Sequence, residues 1–186
     1  MKRTDLHVVL EPVDRSNYRK LFLMQLRPEQ AVFVTPPRWT LARCYVRLFG
    51  DSFEHLPHLI RAGDEIVGYV TTACDPNSAE NYWIDDIMID ASHQGKGYGR
   101  AAMAAALKMI AARYPRCRAV QLTCFRTNTK AAALYKSLGF EPTGAVDQEF
   151  GEPNYKLSGV ALAKFRSKRA TRVGSRAEHN TLTGAK

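Results

Sequence analysis

Apolar residues change their spacing several times along the chain, and each change marks an element. His7–Val13 alternates Val8, Leu10 and Pro12 with His7, Val9 and Glu11, the period of a strand. Asp14 to Ser16 supplies a cap, and Asn17–Leu26 then repeats Tyr18, Leu21, Phe22 and Leu26 at helical spacing until Arg27-Pro28 breaks it. The paired prolines predict a loop over Phe33–Trp39, followed by a helix over Thr40–Phe49 with Leu41, Tyr45 and Leu48 on one face. His58–Ala62 and Glu65–Ala73 flank Gly63-Asp64 at the spacing of a hairpin. Tyr82–Asp90, Arg118–Phe125, Phe140–Val146 and Tyr155–Ala161 read as further strands. Two helices stand between them. Arg100–Arg113 stripes Met103, Leu107, Ile110 and Tyr114 before Pro115. Asn128–Leu138 has Asn128 as cap, Ala131, Leu134, Tyr135 and Leu138 as stripe, and Gly139 as stop. The order β-α-α-β-β-β-α-β-α-β-β predicts a mixed α/β domain with helices packed on a sheet.

Composition changes this picture little. The chain has 186 residues, 45% hydrophobic and 24% charged, as one soluble globular domain would. No apolar run approaches the roughly 20 residues of a membrane span, and the N-terminus lacks a signal-peptide pattern. Cys44, Cys74, Cys117 and Cys124 form no Cys-x-x-Cys pair, so they suggest reduced thiols in a cytoplasmic protein. No metal site is expected, since Pro57 interrupts the one suggestive histidine spacing, His55 to His58.

Charge is more informative by position than by sum. The formal net charge is +9, but residues 164–186 hold seven Lys and Arg against the single acid Glu178. That stretch has few large apolar residues, so the expected organisation is a domain over 1–163 and a basic tail over 164–186, flexible from about 167. Nucleic acid enters this reading only through the tail.

The most informative segment is Gln94-Gly95-Lys96-Gly97-Tyr98-Gly99-Arg100, which leads from a strand into a helix. Alternate glycines allow positive φ and close approach of a ligand to the backbone. Converging N–H groups at the positive end of the helix dipole, with Lys96 and Arg100 nearby, describe a cradle for a phosphate or pyrophosphate. Arg100 stands where a dinucleotide fingerprint needs its third glycine, and the P-loop pattern is absent.

Gln94-x-x-Gly97-x-Gly99 resembles the acetyl-coenzyme A loop of the GNAT superfamily of N-acetyltransferases. Asn128-x-x-Ala131-x-x-Leu134-Tyr135-x-x-x-Gly139-Phe140 is similar to a second segment of that superfamily. The resemblance covers about Leu6 to Ala161. Tyr82–Asp90 and Gly139–Gly144 look most like diamine and spermidine/spermine acetyltransferases. It implies a GNAT-like α+β fold, a mixed and mostly antiparallel central sheet flanked by helices. It implies acetyl-coenzyme A as co-substrate, held by Ile87, Met88 and Ile89, by Gln94 through Arg100 (Gly95, Lys96, Gly97, Tyr98 and Gly99 between them), and by Asn128, Ala131 and Tyr135.

Acetyl transfer needs a neutral amine, whereas an alkyl ammonium has a pKa of about 10.4. It also needs donors for the developing oxyanion and a proton for the departing thiolate. The adjacent carboxylates Asp85 and Asp86 are candidates for base or ammonium anchor, with a purely structural pairing to Arg43 or Arg47 as the alternative. If the strand is regular, Asp85 shares a face with Trp83 and Ile87, and Asp86 with Ile84 and Met88. The resemblance makes Tyr135 the acid; spacing alone would make it part of an apolar stripe. Glu29, Phe33, Trp39 and Trp83, with Asp85, are candidate acceptor contacts. The expected activity is acetyl transfer to a primary amine of a small cation, a polyamine or diamine, by direct attack in a ternary complex. Peptide or protein amines and aminoglycosides are the alternative acceptors, and an acyl-coenzyme A sensor or an RNA-binding tail is the alternative of another class. A homodimer is compatible with all of these, and no membrane partner is expected.

Overall fold

Gly63 takes φ +59 and turns the chain sharply, bringing β2 (Glu54–Ala62) against β3 (Glu65–Cys74) as the Gly-Asp pair predicts. The computed structural model describes residues 6–148 and 151–166. Within them one seven-stranded sheet has the order β1-β2-β3-β4-β5-β7-β6. β1 (Val9–Pro12), β2, β3 and β4 (Tyr82–Ile89) are successively antiparallel. β5 (Ala119–Thr123) runs parallel to β4, and β7 (Pro153–Ser158) pairs antiparallel with both β5 and β6 (Glu141–Val146). This is the mixed, mostly antiparallel arrangement that the sequence implied.

Helices cover both faces. α3 (Tyr98–Arg113) joins β4 to β5, and α4 (Thr129–Leu138) joins β5 to β6. Met103, Leu107 and Ile110 of α3 are buried with Tyr135 of α4 in the larger core. The opposite face carries α1 (Arg19–Phe22) and α2 (Pro37–Val46), over a smaller core of Leu21, Leu59, Tyr69 and Met88. Both α4 signals hold: Asn128 Oδ1 accepts from the Ala131 amide at 3.3 Å, and Gly139 closes the helix at φ +100.

Several boundaries differ from the sequence expectation, each for a local reason. The first strand is only Val9–Pro12. The helix expected over Asn17–Leu26 shrinks to Arg19–Phe22, because Asn17 is buried as a loop tie: its amide donates to Glu11 Oε1 and to the Pro12 carbonyl, each at 2.9 Å. α2 begins at Pro37, not Thr40, since a proline at the first helical position loses no hydrogen bond. Its expected apolar face is split: Leu41 packs on the smaller core, while Tyr45 is 90% and Leu48, just past the helix, 50% exposed, and Thr40 is buried. β7 stops at Ser158, where Gly159 at φ +56 starts α5 (Gly159–Ala163). Beyond α5, Phe165 packs on the core and Arg166 donates to the Pro115 and Cys117 carbonyls. The rest of the basic segment, 167–186, lies outside the described residues.

No helix of the described residues is long and apolar enough to cross a membrane. One close approach pins the centre of the sheet: a Cβ at Gly68 would stand 2.1 Å from the Met88 carbonyl oxygen of the neighbouring strand. Gly68→Ala should therefore force β3 and β4 apart and lower stability by about 2 kcal/mol, read as a reduced urea midpoint.

Candidate functional site

An extra residue in β4 creates the site. Thr71 of β3 faces Asp86 and Thr72 faces Ile84, so Asp85 is bulged out of register. Across the bulge the strand exchanges faces. Ile84 lies in the α3-side core and Met88 in the α2-side core, although their even spacing would put them on one face of a regular strand. The face assignment expected for Asp85 and Asp86 is thereby corrected: Asp86 shares its side with Met88 and not with Ile84. The bulge also ends the parallel pairing, which consists of Trp83 against Gln121. Beyond it β4 and β5 diverge, and a cavity of about 570 Å³ opens between them.

One wall of this cavity is the glycine turn. Gly95 and Gly97 adopt φ +78 and +94, which L side chains rarely take, and Gly97 leads directly into α3. The amides of the first helical turn have no partner four residues back, so they point toward the turn with the positive helix end behind them. Gln94 braces the turn by donating to Gln30 Oε1 at 2.7 Å and to the Ile89 carbonyl at 3.0 Å. Lys96 and Arg100 are each held by the chain: Lys96 Nζ donates to the Ser92 carbonyl at 3.0 Å, and Arg100 donates to the Ser137 hydroxyl. An anion in the turn would therefore meet chiefly backbone donors.

The opposite end is acidic and tightly wired. Arg43 of α2 spans both carboxylates, with nitrogens 3.0 Å from Asp85 Oδ1 and 3.6 Å from Asp86 Oδ2. Thr40 donates to Asp86 Oδ2 at 2.9 Å, and Tyr69 donates to the Thr35 carbonyl at 2.9 Å. Arg43 also donates to Thr35 Oγ1 at 3.3 Å, tying the loop before α2 to the same cluster. Burial pushes the Asp86 carboxyl above the ordinary carboxylate range, with Arg43 and the two threonines opposing it. The structural pairing with Arg43 is thus present, and the acidic pair is not a pair of free carboxylates.

Tyr135 reaches the cavity between these ends. Its ring packs on Phe140 with centroids 6.1 Å apart, and burial raises its phenol pKa, keeping the proton on at neutral pH. Cys124 also lines the cavity, and burial pushes its thiol up to about 11, so it is un-ionised there. Glu152, just before β7, lines the same space half-buried, and burial raises its carboxyl above the ordinary range.

The cavity thus brings together Phe33, Asp85, Asp86, Ile87, Ile89, Gln94, Gly95, Gly97, Tyr98, Gly99, Asn128, Ala131 and Tyr135. Other expected contacts lie elsewhere. The Met88 side chain belongs to the core on the far face. Trp83 stacks with Phe49 at 6.2 Å, Trp39 is 59% exposed on the outside of α2, and Glu29 is exposed in a short 3-10 turn, Pro28–Gln30. Sequence reasoning did not find Thr35, Thr40, Tyr69, Phe125 or Glu152. Phe125 announces itself only in space, packing against Phe33 at 5.8 Å. Glu152 has no local signal beyond a Gly-Glu-Pro turn preceding a strand.

Replacing Arg43 by Met should leave the buried Asp86 without its cation and cost about 2–3 kcal/mol of stability. The sign with pH follows from the raised Asp86 pKa. The folded state keeps that proton where the unfolded state has lost it, so the contribution falls as pH rises. Urea unfolding should therefore show a larger Arg43→Met deficit at about pH 8 than at about pH 5.

Comparisons with known proteins find chains similar in sequence and in fold. A 31% identity over 88 residues links the chain to a spermine/spermidine N(1)-acetyltransferase of Bacillus subtilis (strain 168), covering 45% of this chain and 57% of that protein. The chain thus spans little more than half the length of the curated relatives it matches. The fold superposes on a spermidine N-acetyltransferase from Vibrio cholerae solved with CoA and spermine, at TM-score 0.62 and 18% identity, covering 86% of this chain and 98% of that one. It also superposes on AAC(6')-Ib solved with an aminoglycoside and acetyl-CoA, at TM-score 0.67 and 22% identity, covering 87% and 99%. Residues 20–140 match the Acetyltransferase (GNAT) family, from the first helix through the glycine turn to the end of α4, and the chain belongs to that family.

Proposed function

We propose that this protein transfers the acetyl group of acetyl-coenzyme A to a primary amine of a small cationic acceptor, a polyamine or diamine, with both substrates bound together. The observation that carries the reading is one continuous cleft, amide-rich at the glycine turn and carboxylate-lined at the other end. The residues present suit the coenzyme: a diphosphate takes the amides at Gly95–Gly99, and the pantetheine arm runs between the diverged edges of β4 and β5. Past Trp83 the β4 backbone has no β5 partner, so alternate amides near Ile87 and Ile89 are free to meet the arm and the thioester oxygen. Asn128 and Ala131 flank it from α4.

At the acidic end, Asp85 and Asp86 give a negative floor that favours an ammonium group over a neutral or anionic acceptor, even with Arg43 between them. Similarity to spermine and spermidine acetyltransferases over part of the chain supports the same acceptor class. Tyr135 donates its phenolic proton to the departing coenzyme sulfur. Cys124 takes no part as a nucleophile, because a thiol pushed to about 11 holds little thiolate at neutral pH, which favours direct attack by the amine.

Purified protein with acetyl-coenzyme A should release thiol with spermidine or a diamine and not with peptides or aminoglycosides. Release with peptides alone assigns a different acceptor, and coenzyme binding without turnover leaves a sensor. Tyr135→Phe should lower kcat by about 10²-fold while calorimetry shows unchanged coenzyme affinity. An unaltered rate removes Tyr135 from the chemistry.

A further inference from the structure

Three carboxylates line the acceptor end of the cleft, and their surroundings are not equivalent. Asp85 and Asp86 share the Arg43 guanidinium, and Asp86 also accepts from Thr40. Both aspartates are thus already engaged by a guanidinium, and an ammonium handing either of them a proton has to displace that contact. Glu152 differs. It makes no ion pair among the described residues, yet it faces the same cavity from the opposite wall, half-buried.

The backbone fixes that position. The Glu152 amide donates to Asp147 Oδ2 at 2.6 Å, and its carbonyl accepts from the Asp147 amide at 2.9 Å. Pro153 then begins β7, so the side chain is launched from a braced turn at the start of a strand paired on both sides. The groups facing it are Thr123 at the end of β5 and Cys124 just past it, Tyr135 from α4, Asp86 from β4, Arg43 from α2 and Asp147 from its own turn. Thr123 lends a hydrogen bond, and the two aspartates oppose its ionisation.

We infer that Glu152, and not the Asp85–Asp86 pair, accepts the proton that the acceptor ammonium must lose before attack. This deepens the proposed acetyl transfer and rests on it. Glu152 takes one proton from the ammonium and later passes it to solvent. The freed nitrogen lone pair forms the C–N bond at the thioester carbonyl carbon, and the C–S bond breaks with its electron pair leaving on sulfur. Tyr135 protonates that sulfur, and the second proton carried by the new amide nitrogen returns through solvent to the Tyr135 phenolate. The net products are the acetamide, the free thiol and one proton. A carboxyl held above its ordinary range by burial suits this task, since a stronger base accepts the proton more readily.

The test compares wild type, Glu152→Gln and Glu152→Asp on two acceptors at one neutral pH: a simple alkyl diamine, mostly protonated there, and a trifluoroethylamine, already neutral there. Glu152→Gln should lose about 10²-fold or more in kcat/KM on the diamine, and the loss should shrink to a few-fold on the fluorinated amine. Glu152→Asp should retain about a tenth or more of the diamine rate. Coenzyme affinity and melting temperature of Glu152→Gln should match wild type. Wild-type rates for Glu152→Gln on the diamine, or an equal loss on both amines, would overturn the assignment. If wild type itself turns over no amine while still binding acetyl-coenzyme A, the proposed transfer fails together with it, an outcome distinct from a working wild type indifferent to Glu152.

Discussion

One inserted residue in β4 governs the geometry of everything around it. With Asp85 out of register, the strand rotates, its pairing with β5 ends at Trp83, and the sheet splits into a cleft. A continuous sheet would have satisfied those backbone groups internally and left no passage. The bulge also turns Asp86 toward α2 while Ile87 and Ile89 stay toward α3, so a single strand serves two different walls. Such a departure from regular pairing persists only when neighbouring contacts hold it, and here Arg43, Thr40 and Thr35 do so.

Much of the architecture was legible because its signals are local. The hairpin at Gly63-Asp64, the Asn128 cap, the Gly139 stop and the stripe of α3 each depend on a few residues and their own backbone preferences. The glycine turn was legible for the same reason. What escaped was information spread across elements. α2 looked like an ordinary amphipathic helix with Leu41, Tyr45 and Leu48 on one face; Leu41 does pack on the smaller core, but beside it the side facing the sheet carries Thr40 and Arg43, which answer two buried aspartates. A polar surface is unreadable as an interior one until the charge it meets is known.

The candidate site divides along the same line. Its glycine-turn half is mostly backbone conformation, and conformation is written in glycines and caps. Its carboxylate-lined half is assembled from α2, β3, β4, β5, α4 and the turn before β7, elements spread from Pro37 to Glu152. Alternation therefore misassigned the Asp85 and Asp86 faces, since a period of two cannot announce a bulge. Trp39 and Trp83 were attractive as aromatics near a cation, yet one covers the outside of α2 and the other fills space beside Phe49.

Thr35 occupies a peculiar junction. It belongs to the segment before α2 that lines the cavity, accepts from Arg43 through its hydroxyl and from Tyr69 through its carbonyl, and thereby reaches the buried carboxylates. A substitution that reshapes that segment would simultaneously disturb the charge balance beneath it. The shape of the cavity wall and the protonation of the buried carboxylates are therefore coupled through this one residue, so neither can be altered at Thr35 without the other.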